Sequence, residues 1–390
     1  MNDREQRHAE LARRYLPDAC LKRFHRRAAT YDRNNQFFTQ DLAELRRAGY
    51  LTMLVPARWG GADVTINQAA RLQQRLAGAA PATALAINMH LLCLAMVRVM
   101  VDRGDESLAY VFDEAMAGEI FALGVSEPAN DWVLQGSTTT ATPQHDGGYR
   151  LSGVKIFTSL GPVWTRLLVH GLDASHAGRP RLVYGFIERT RAVSRTGKWD
   201  VLGMRATQSH ATALKDAPLR AERVARRIRP GRTPDLLTFA ITANFQLLIG
   251  SVYAGIAQRA LALAVEALKH RRSARYAATL DRVPEYRVRV ADALRTLQPV
   301  LAELDLCTRD LDEGVDHGKA WPLKLVSARL DASTVARRMV ELAMGCAGGA
   351  SYARDSELAR LHRDATASLF HPPGADAARA LYASALLDDG

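Results

Sequence analysis

Gly148-Tyr149-Arg150-Leu151-Ser152-Gly153-Val154-Lys155-Ile156-Phe157-Thr158-Ser159 is the stretch on which the architecture turns. It is a short run of β type. The residues that lead into it, His145-Asp146-Gly147-Gly148, have the composition of a hairpin turn in which glycine supplies positive φ. Runs of the same texture lie on both sides: FALGVS at 121–126, STTTATPQ at 137–144, TRLLVHGL at 165–172, RLVYGFIE at 181–188 and ATALKDAPL at 211–219. Together they predict a β unit over residues 121–232.

Outside that unit the pattern is helical. Toward the N-terminus, Phe38, Leu42, Leu45 and Leu51 recur at helical spacing, so residues 1–120 read as a first, all-α unit. It is interrupted once, at LTMLVPARWGG (51–61), where Pro56 and Gly60-Gly61 force a surface turn. After Pro234 a long breaker-poor stretch, LLTFAITANFQLLIGSVYAGIAQRALALAVEALKHRR, opens a third unit over 233–390. Helices, then strands, then helices argue against an alternating parallel sheet.

Composition narrows the function classes. The chain has 390 residues, 48% of them hydrophobic and 24% charged, which excludes disorder and fibres. Lys+Arg 52 against Asp+Glu 41 gives a net charge of +11. The densest basic clusters, at 220–232 and 270–275, lack the interleaved aromatics that base stacking needs, so no nucleic-acid partner is expected. Cys20, Cys93, Cys307 and Cys346 are far apart, without a CxxC pair, and imply neither a zinc knuckle nor a disulfide framework. The N-terminal segment carries no apolar signal core. The most apolar stretch, 84–101, holds Asn88, His90 and Arg98, each costly in hydrocarbon, and reads as a buried helix of a cytoplasmic protein without a membrane partner. GxGxxG, GxxxxGK[ST] and HExxH are all missing, and no metal site is expected. Ser152-Gly153-Val154-Lys155 matches SxxK by chance, since it sits in a predicted strand without its usual partner motifs.

The β unit also carries the recognisable pieces: Gly124-Val125-Ser126-Glu127-Pro128, the 148–159 stretch, and Leu202-Gly203-Met204-Arg205-Ala206-Thr207. With VPARWGG before them, and GIAQRAL, Gly348-Gly349 and Leu361-His362-Arg363-Asp364 after them, the chain resembles the acyl-CoA dehydrogenase superfamily over nearly its whole length. The resemblance implies a helical N-domain, a central antiparallel β-barrel-like domain and a C-terminal four-helix bundle. It also implies a homotetramer or homodimer with a flavin, FAD or else FMN, held between domains and subunits. By position, Leu123, Val125 and Ser126 would line the flavin, while Phe157, Thr158 and Ser159 would pack against its ring and donate from backbone and hydroxyl. Gly348 and Gly349 would let a neighbouring subunit's backbone approach the dinucleotide portion, with Arg272 or Arg275 offering charge to the pyrophosphate.

The sequence departs from the dehydrogenases where their base belongs. Removing a proton α to a thioester carbonyl needs a positioned carboxylate. Alignment on Arg363-Asp364 brings Pro372 onto the usual glutamate, and the alternative position on the central helix is Phe245, followed by Gln246. The loop after Glu-Pro is also shortened, to Ala129-Asn130-Asp131, and Glu127 itself looks structural. Reduced-flavin monooxygenases of the same fold, among them dibenzothiophene monooxygenases and amino-sugar nitrososynthases, need no such base. In the dibenzothiophene branch the histidine beyond the Arg motif falls on His371, the flavin-side serine on Ser159 and an N-domain histidine on His90. Residues 155–159 point the other way, toward the dehydrogenase branch. The resemblance therefore implies a flavin-dependent oxidoreductase acting on a small organic substrate held under the 84–101 helix. The leading expectation is a monooxygenase served by a flavin reductase, with His371, Ser159 and His90 as catalytic groups. The alternative is an acyl-CoA or acyl-carrier-protein dehydrogenase that takes a thioester and uses another base.

Overall fold

The computed structural model describes residues 3–388; the expected first and last units also include residues 1–2 and 389–390, which lie outside the described residues. Six helices come first: α1 (Asp3–Tyr15), α2 (Asp18–Arg33), α3 (Thr39–Arg47), α4 (Ile66–Ala79), α5 (Pro81–Asp102) and α6 (Tyr110–Met116). The helical spacing from Phe38 is realised in α3, where Leu42 and Leu45 face the core. Thr65 caps α4 by accepting from the Gln68 backbone N–H, while the Gln68 side chain accepts from the Thr65 N–H. The apolar stretch near residue 90 is α5, all of it buried except Ala82, Arg98 and Asp102. Its polar side chains find partners in the fold: Asn88 donates to the Leu248 carbonyl at 2.7 Å, Arg98 reaches the Leu54 and Val64 carbonyls, and the Thr83 hydroxyl donates to Asp41.

Eight strands follow: β1 (Phe121–Gly124), β2 (Thr140–Pro143), β3 (Tyr149–Lys155), β4 (Arg166–Asp173), β5 (Arg181–Glu188), β6 (Val193–Thr196), β7 (Ala211–Leu219) and β8 (Val224–Ile228). The turn at 145–148 joins β2 to β3, with Gly147 at φ 83° and the Gly148 N–H on the Asp146 carboxylate. The sheet runs β6-β7-β3-β2-β4-β5-β8, with β1 added beside β4. It is mixed, which corrects the antiparallel expectation: β1 and β2 both pair parallel to β4. A long connection that contains the whole β2–β3 hairpin separates β1 from β4, and only such a crossover lets two strands run the same way.

The chain then returns to helix: α7 (Leu236–His270), a short hairpin of β9 (Arg272–Ser273) and β10 (Ala278–Thr279), α8 (Pro284–Asp312), α9 (Trp321–Ala347), α10 (Glu357–Thr366) and α11 (Ala375–Leu387). Asp235 caps α7 by accepting from the Leu237 and Thr238 N–H groups. The bundle is three long helices closed by two shorter ones, and α7 is its centre, buried continuously from Gln246 to Ala257. At Gly255 a Cβ would stand 2.2 Å from the Gln74 carbonyl oxygen, so the α4–α7 crossing needs glycine. Gly203 plays the same part for the loop after β6, where a Cβ would meet the Arg363 carbonyl at 2.0 Å. Two stretches quoted for the family resemblance thus touch: the Met204 N–H donates to Asp364 at 2.5 Å. By length and apolarity α5 and α7 could each cross a membrane, but both lie mostly inside the fold.

Candidate active site

Three loops at the sheet's end form a shelf. The chain leaves β1 through Val125 and Ser126, and the Ile156 N–H donates to the Ser126 carbonyl at 2.8 Å. Beyond β3, Phe157 and Leu160 both take positive φ, 55° and 60°. For a β-branched or bulky side chain that geometry is uncommon and costs conformational energy. The result is a Phe157 ring that is 53% exposed, braced at its edge by Trp199 at 6.3 Å. The Thr158 N–H donates to the His210 carbonyl at 3.1 Å, while its buried hydroxyl has no partner.

Ser159 begins a run of hydroxyls. Thr207 Oγ1 donates to the Met204 carbonyl at 2.8 Å, and Ser209 Oγ donates to Thr207 Oγ1 at 2.8 Å. Ser209 has then spent its one proton, so at 2.7 Å the Ser159 hydroxyl must be the donor to it. The Ser159 hydroxyl therefore offers lone pairs, not a proton, to anything on the shelf. This reverses its expected donor role. Thr158 Oγ1 is the hydroxyl left with a proton to give.

Beneath the shelf lies a sealed ionic core. Lys155 Nζ and Glu127 Oε1 are 2.5 Å apart with both side chains fully buried. Glu127 also accepts from Ser137 and Thr139 hydroxyls, Asn130 Nδ2 and the Thr138 N–H. Burial works against its charge, but the Lys155 ammonium and these donors hold the carboxyl well below its ordinary range. Lys155 also bonds the His170 carbonyl at 2.7 Å, and burial with the adjacent ammonium pushes the His170 imidazole down to about 3. With every oxygen of Glu127 engaged, it is a structural group.

The second half of the site belongs to the bundle. Phe245 on α7 and His371, in the segment after α10, meet with ring centroids 6.2 Å apart. Gln246 Nε2 donates to the Pro372 carbonyl at 3.1 Å. The two positions at which a dehydrogenase base was sought are thus neighbours in space, and neither bears a carboxylate. His371 Nε2 lies 2.8 Å from the hydroxyl of Tyr253, which is fully buried and has no other acceptor among the described residues. The hydroxyl proton therefore goes to Nε2, and the imidazole proton sits on Nδ1, which has no protein partner. Burial, aided by the Arg329 guanidinium, pushes His371 down to about 3, so the ring is neutral. Arg329 is itself buried at 0% exposure; it bonds Gln246 Oε1 at 2.5 Å and the Pro373 carbonyl.

The other expected residues separate. Both His90 nitrogens are taken: Nδ1 accepts from the Phe121 N–H at 3.0 Å, and Nε2 donates to the Leu51 carbonyl at 2.9 Å. Burial pushes it down to about 4. It ties α5 to β1 and to the 51–61 turn, and it has no nitrogen free for catalysis. Leu123 and Val125 are buried in the core beside the shelf. Arg272 and Arg275 are exposed around the β9–β10 hairpin and share no hydrogen bond with the shelf. Gly348 has φ 69° and lies under Arg271, and Gly349 follows it in open space. Tyr253, Arg329 and Ser209 were missed. A tyrosine in an apolar helix reads as core and an arginine in an alanine-rich helix as surface, so no local signal marked them.

Comparison with known proteins adds the family. "Acyl-CoA dehydrogenase, N-terminal domain" matches residues 4–107 and "Acyl-CoA dehydrogenase, C-terminal domain" residues 247–372, together more than half of the chain. The amino sugar nitrososynthase RubN8 of Streptomyces rubradiris is 29% identical over 367 residues, 92% of this chain and 85% of that protein. Dibenzothiophene monooxygenase of Rhodococcus qingshengii is 26% identical over 252 residues, 61% of this chain and 58% of that protein. The structure of KijD3 with FMN and a dTDP-linked amino-keto sugar superposes with a TM-score of 0.79 at 28% identity, covering 95% of this chain and 91% of that one. With both family domains in place around a mixed central sheet, the chain belongs to the acyl-CoA dehydrogenase superfamily.

Proposed function

We propose that this chain, a flavin-dependent oxidoreductase, works as a monooxygenase that uses reduced flavin and dioxygen to oxidise a small organic substrate. One observation carries the reading: Phe245 and the His371-Pro372 segment stand together where an α-proton base would act, without a carboxylate. Asp364 acts electrostatically on Tyr253, but it is already accepting from the Met204 N–H. The likeness to a nitrososynthase and a dibenzothiophene monooxygenase supports the same branch.

The residues present fit a flavin. The exposed Phe157 ring offers a flat apolar face, and the orphaned Thr158 hydroxyl offers a donor in a buried edge position. When bound and reduced, the flavin supplies the two electrons that oxygen activation needs. Ser126 and Ser159 would hold the ring's polar edge, Ser159 as acceptor. His371 would present a neutral Nδ1–H toward the reacting oxygen, and its low basicity keeps it a hydrogen-bond donor and not an acid that leaks protons. Arg272 or Arg275 with Gly348 and Gly349 would serve the dinucleotide portion across a homodimer or homotetramer interface if the cofactor is FAD; FMN would leave them unused. A separate reductase would deliver the reduced flavin.

The dehydrogenase reading survives on residues 155–159, which resemble that branch. Two assays separate them. Under air, with reduced flavin supplied, a monooxygenase converts substrate in step with flavin reoxidation, and His371→Ala lowers that coupling by about a hundredfold, as loss of one preorganised donor does. Anaerobic bleaching of bound flavin by acyl-CoA thioesters would overturn the proposal in favour of the dehydrogenase.

A further inference from the structure

Helix α9 carries three side chains that the chemistry above leaves unexplained. Arg329, Ser333 and Arg337 follow one another at intervals of four residues and so share one face of the helix. Each has a buried polar atom without a hydrogen-bond partner: Arg329 Nη1, Ser333 Oγ and Arg337 Nε. Such orphans are rare one at a time. Here they occupy three successive turns.

The arginines are the stronger anomaly. Arg329 is the largest fully buried side chain among the described residues, at 0% exposure, and its bonds go to the neutral oxygens of Gln246 and Pro373. Arg337 is half-buried and makes no hydrogen bond at all among the described residues. Neither forms an ion pair there, although nearly every other partly buried arginine finds an acid, as Arg27, Arg71, Arg166, Arg223, Arg259 and Arg363 do. An unpaired buried charge strongly disfavours the folded state unless something neutralises it.

Ser333 supplies an independent indication. Helical hydroxyls here habitually bond the carbonyl one turn back: Thr242 to Thr238, Ser251 to Leu247, Thr296 to Asp292, Thr308 to Leu304 and Thr366 to His362. Ser333 does not, although it is 3% exposed. Its hydroxyl makes no hydrogen bond, either to its own helix or to any other described residue. The Arg329 end of this face packs against α7, since Gly250 would place a Cβ 3.3 Å from Arg329 Cα, and both arginines act electrostatically on Tyr253.

We propose that Arg329, Ser333 and Arg337 form a binding site for the oxyanion of a small ligand, a carboxylate or a phosphate, seated on the α9 face beside Tyr253 and His371. The Arg337 guanidinium fork, the remaining Nη1 group of Arg329 and a hydroxyl are a donor set that such a group takes, and the negative charge it brings is the charge the site lacks. Arg337 forms the outer end, where the ligand enters, and Arg329 the sealed inner end. The site does not depend on the oxygenase reading, because its ligand is recognised by charge and shape whatever redox chemistry takes place above it.

The test is calorimetric titration of the flavin-free full chain with inorganic phosphate and, separately, with acetate and benzoate, in a chloride buffer of constant ionic strength. Saturable binding of phosphate marks a phosphate-bearing ligand, and saturable binding of the carboxylates alone marks an organic acid. Arg337→Gln should weaken the preferred anion by at least about tenfold and Ser333→Ala by a few-fold. Arg338→Gln removes the same charge from the exposed neighbouring position and should change nothing. Arg329→Lys keeps the inner charge but loses the free Nη1 donor, and should fold while binding more weakly. Failure of all three anions to saturate, or an equal loss in Arg337→Gln and Arg338→Gln, overturns the proposal.

Discussion

At the scale of single residues, the site is governed by where protons are allowed to sit. Tyr253 has one proton and one acceptor, so His371 holds its own proton on Nδ1. Tyr253→Phe removes that instruction while keeping the ring. The expected outcome is a mixed His371 tautomer population, visible in its 15N ring shifts, with flavin affinity unchanged and coupled oxidation reduced about tenfold; unchanged shifts would refute the assignment. The Lys155–Glu127 pair makes a second prediction. Because it is wholly buried, Lys155→Met strands the carboxylate and should cost about 3–5 kcal/mol in urea unfolding, whereas Lys155→Met with Glu127→Gln should recover part of that loss. Glu127 is held below its ordinary range, so its contribution is complete above the unfolded carboxylate pKa of about 4.3 and fades as pH falls further. The sequence reveals the shelf and the missing base, because those reside in contiguous motifs and in the identity of one or two residues. It hides Tyr253, Arg329 and the serine relay. Each of these acquires meaning only from a neighbour far along the chain, such as the one 118 positions away that gives Tyr253 its role.

At the scale of elements, close contacts between backbones decide what each motif is for. Gly255→Ala places a methyl against the Gln74 carbonyl and Ala77 Cβ, with no flexible side chain to yield. It should destabilise the α4–α7 crossing by about 1–3 kcal/mol in equilibrium unfolding; a neutral result would mean that the helices can slide apart freely. The docking of the 202–207 loop on α10 gives a pH-dependent prediction. Burial pushes Asp364 up to about 6, with Arg360 opposing, so the native state binds a proton more readily than the unfolded chain between about pH 4 and 6. Wild-type stability therefore declines as pH rises through that window. Asp364→Asn, still able to accept from the Met204 N–H, should gain on the wild type by up to about 3 kcal/mol over the same rise, and a pH-independent difference would show that Asp364 titrates normally. Helical and strand textures were legible because periodicity is local. The parallel course of β1 along β4 was not, since alternation along a strand carries no information about its partner's direction.

At the scale of the whole molecule, the two most apolar helices are the frame from which both halves of the site hang. The middle of α5 and residues 246–257 of α7 are buried almost without a break, and they are joined through Asn88, whose Nδ2 bonds the Leu248 carbonyl, while Gln73 of α4 holds Asn88 and the Ala84 carbonyl from the other side. That composition would suit a membrane span, yet Asn88, His90 and Arg98 on α5 each have a backbone partner within the fold, which is what an interior helix requires and a lipid-facing one cannot obtain. By contrast, the β9–β10 hairpin is two residues deep on each strand and mostly exposed, and α11 buries only Ala378. Exchange should follow burial and not sequence hydrophobicity. Amides of 86–100 and 246–257 should exchange only through global unfolding, orders of magnitude more slowly than those of 272–279, as hydrogen-exchange mass spectrometry would read peptide by peptide. The His371 segment, bonded to this frame through Tyr253, Gln246 and Arg329, should be intermediate, and Tyr253→Phe should speed its exchange without altering that of α7. If α7 loosened together with the segment, Tyr253 would be a packing residue of the frame, and its hold on His371 would be incidental.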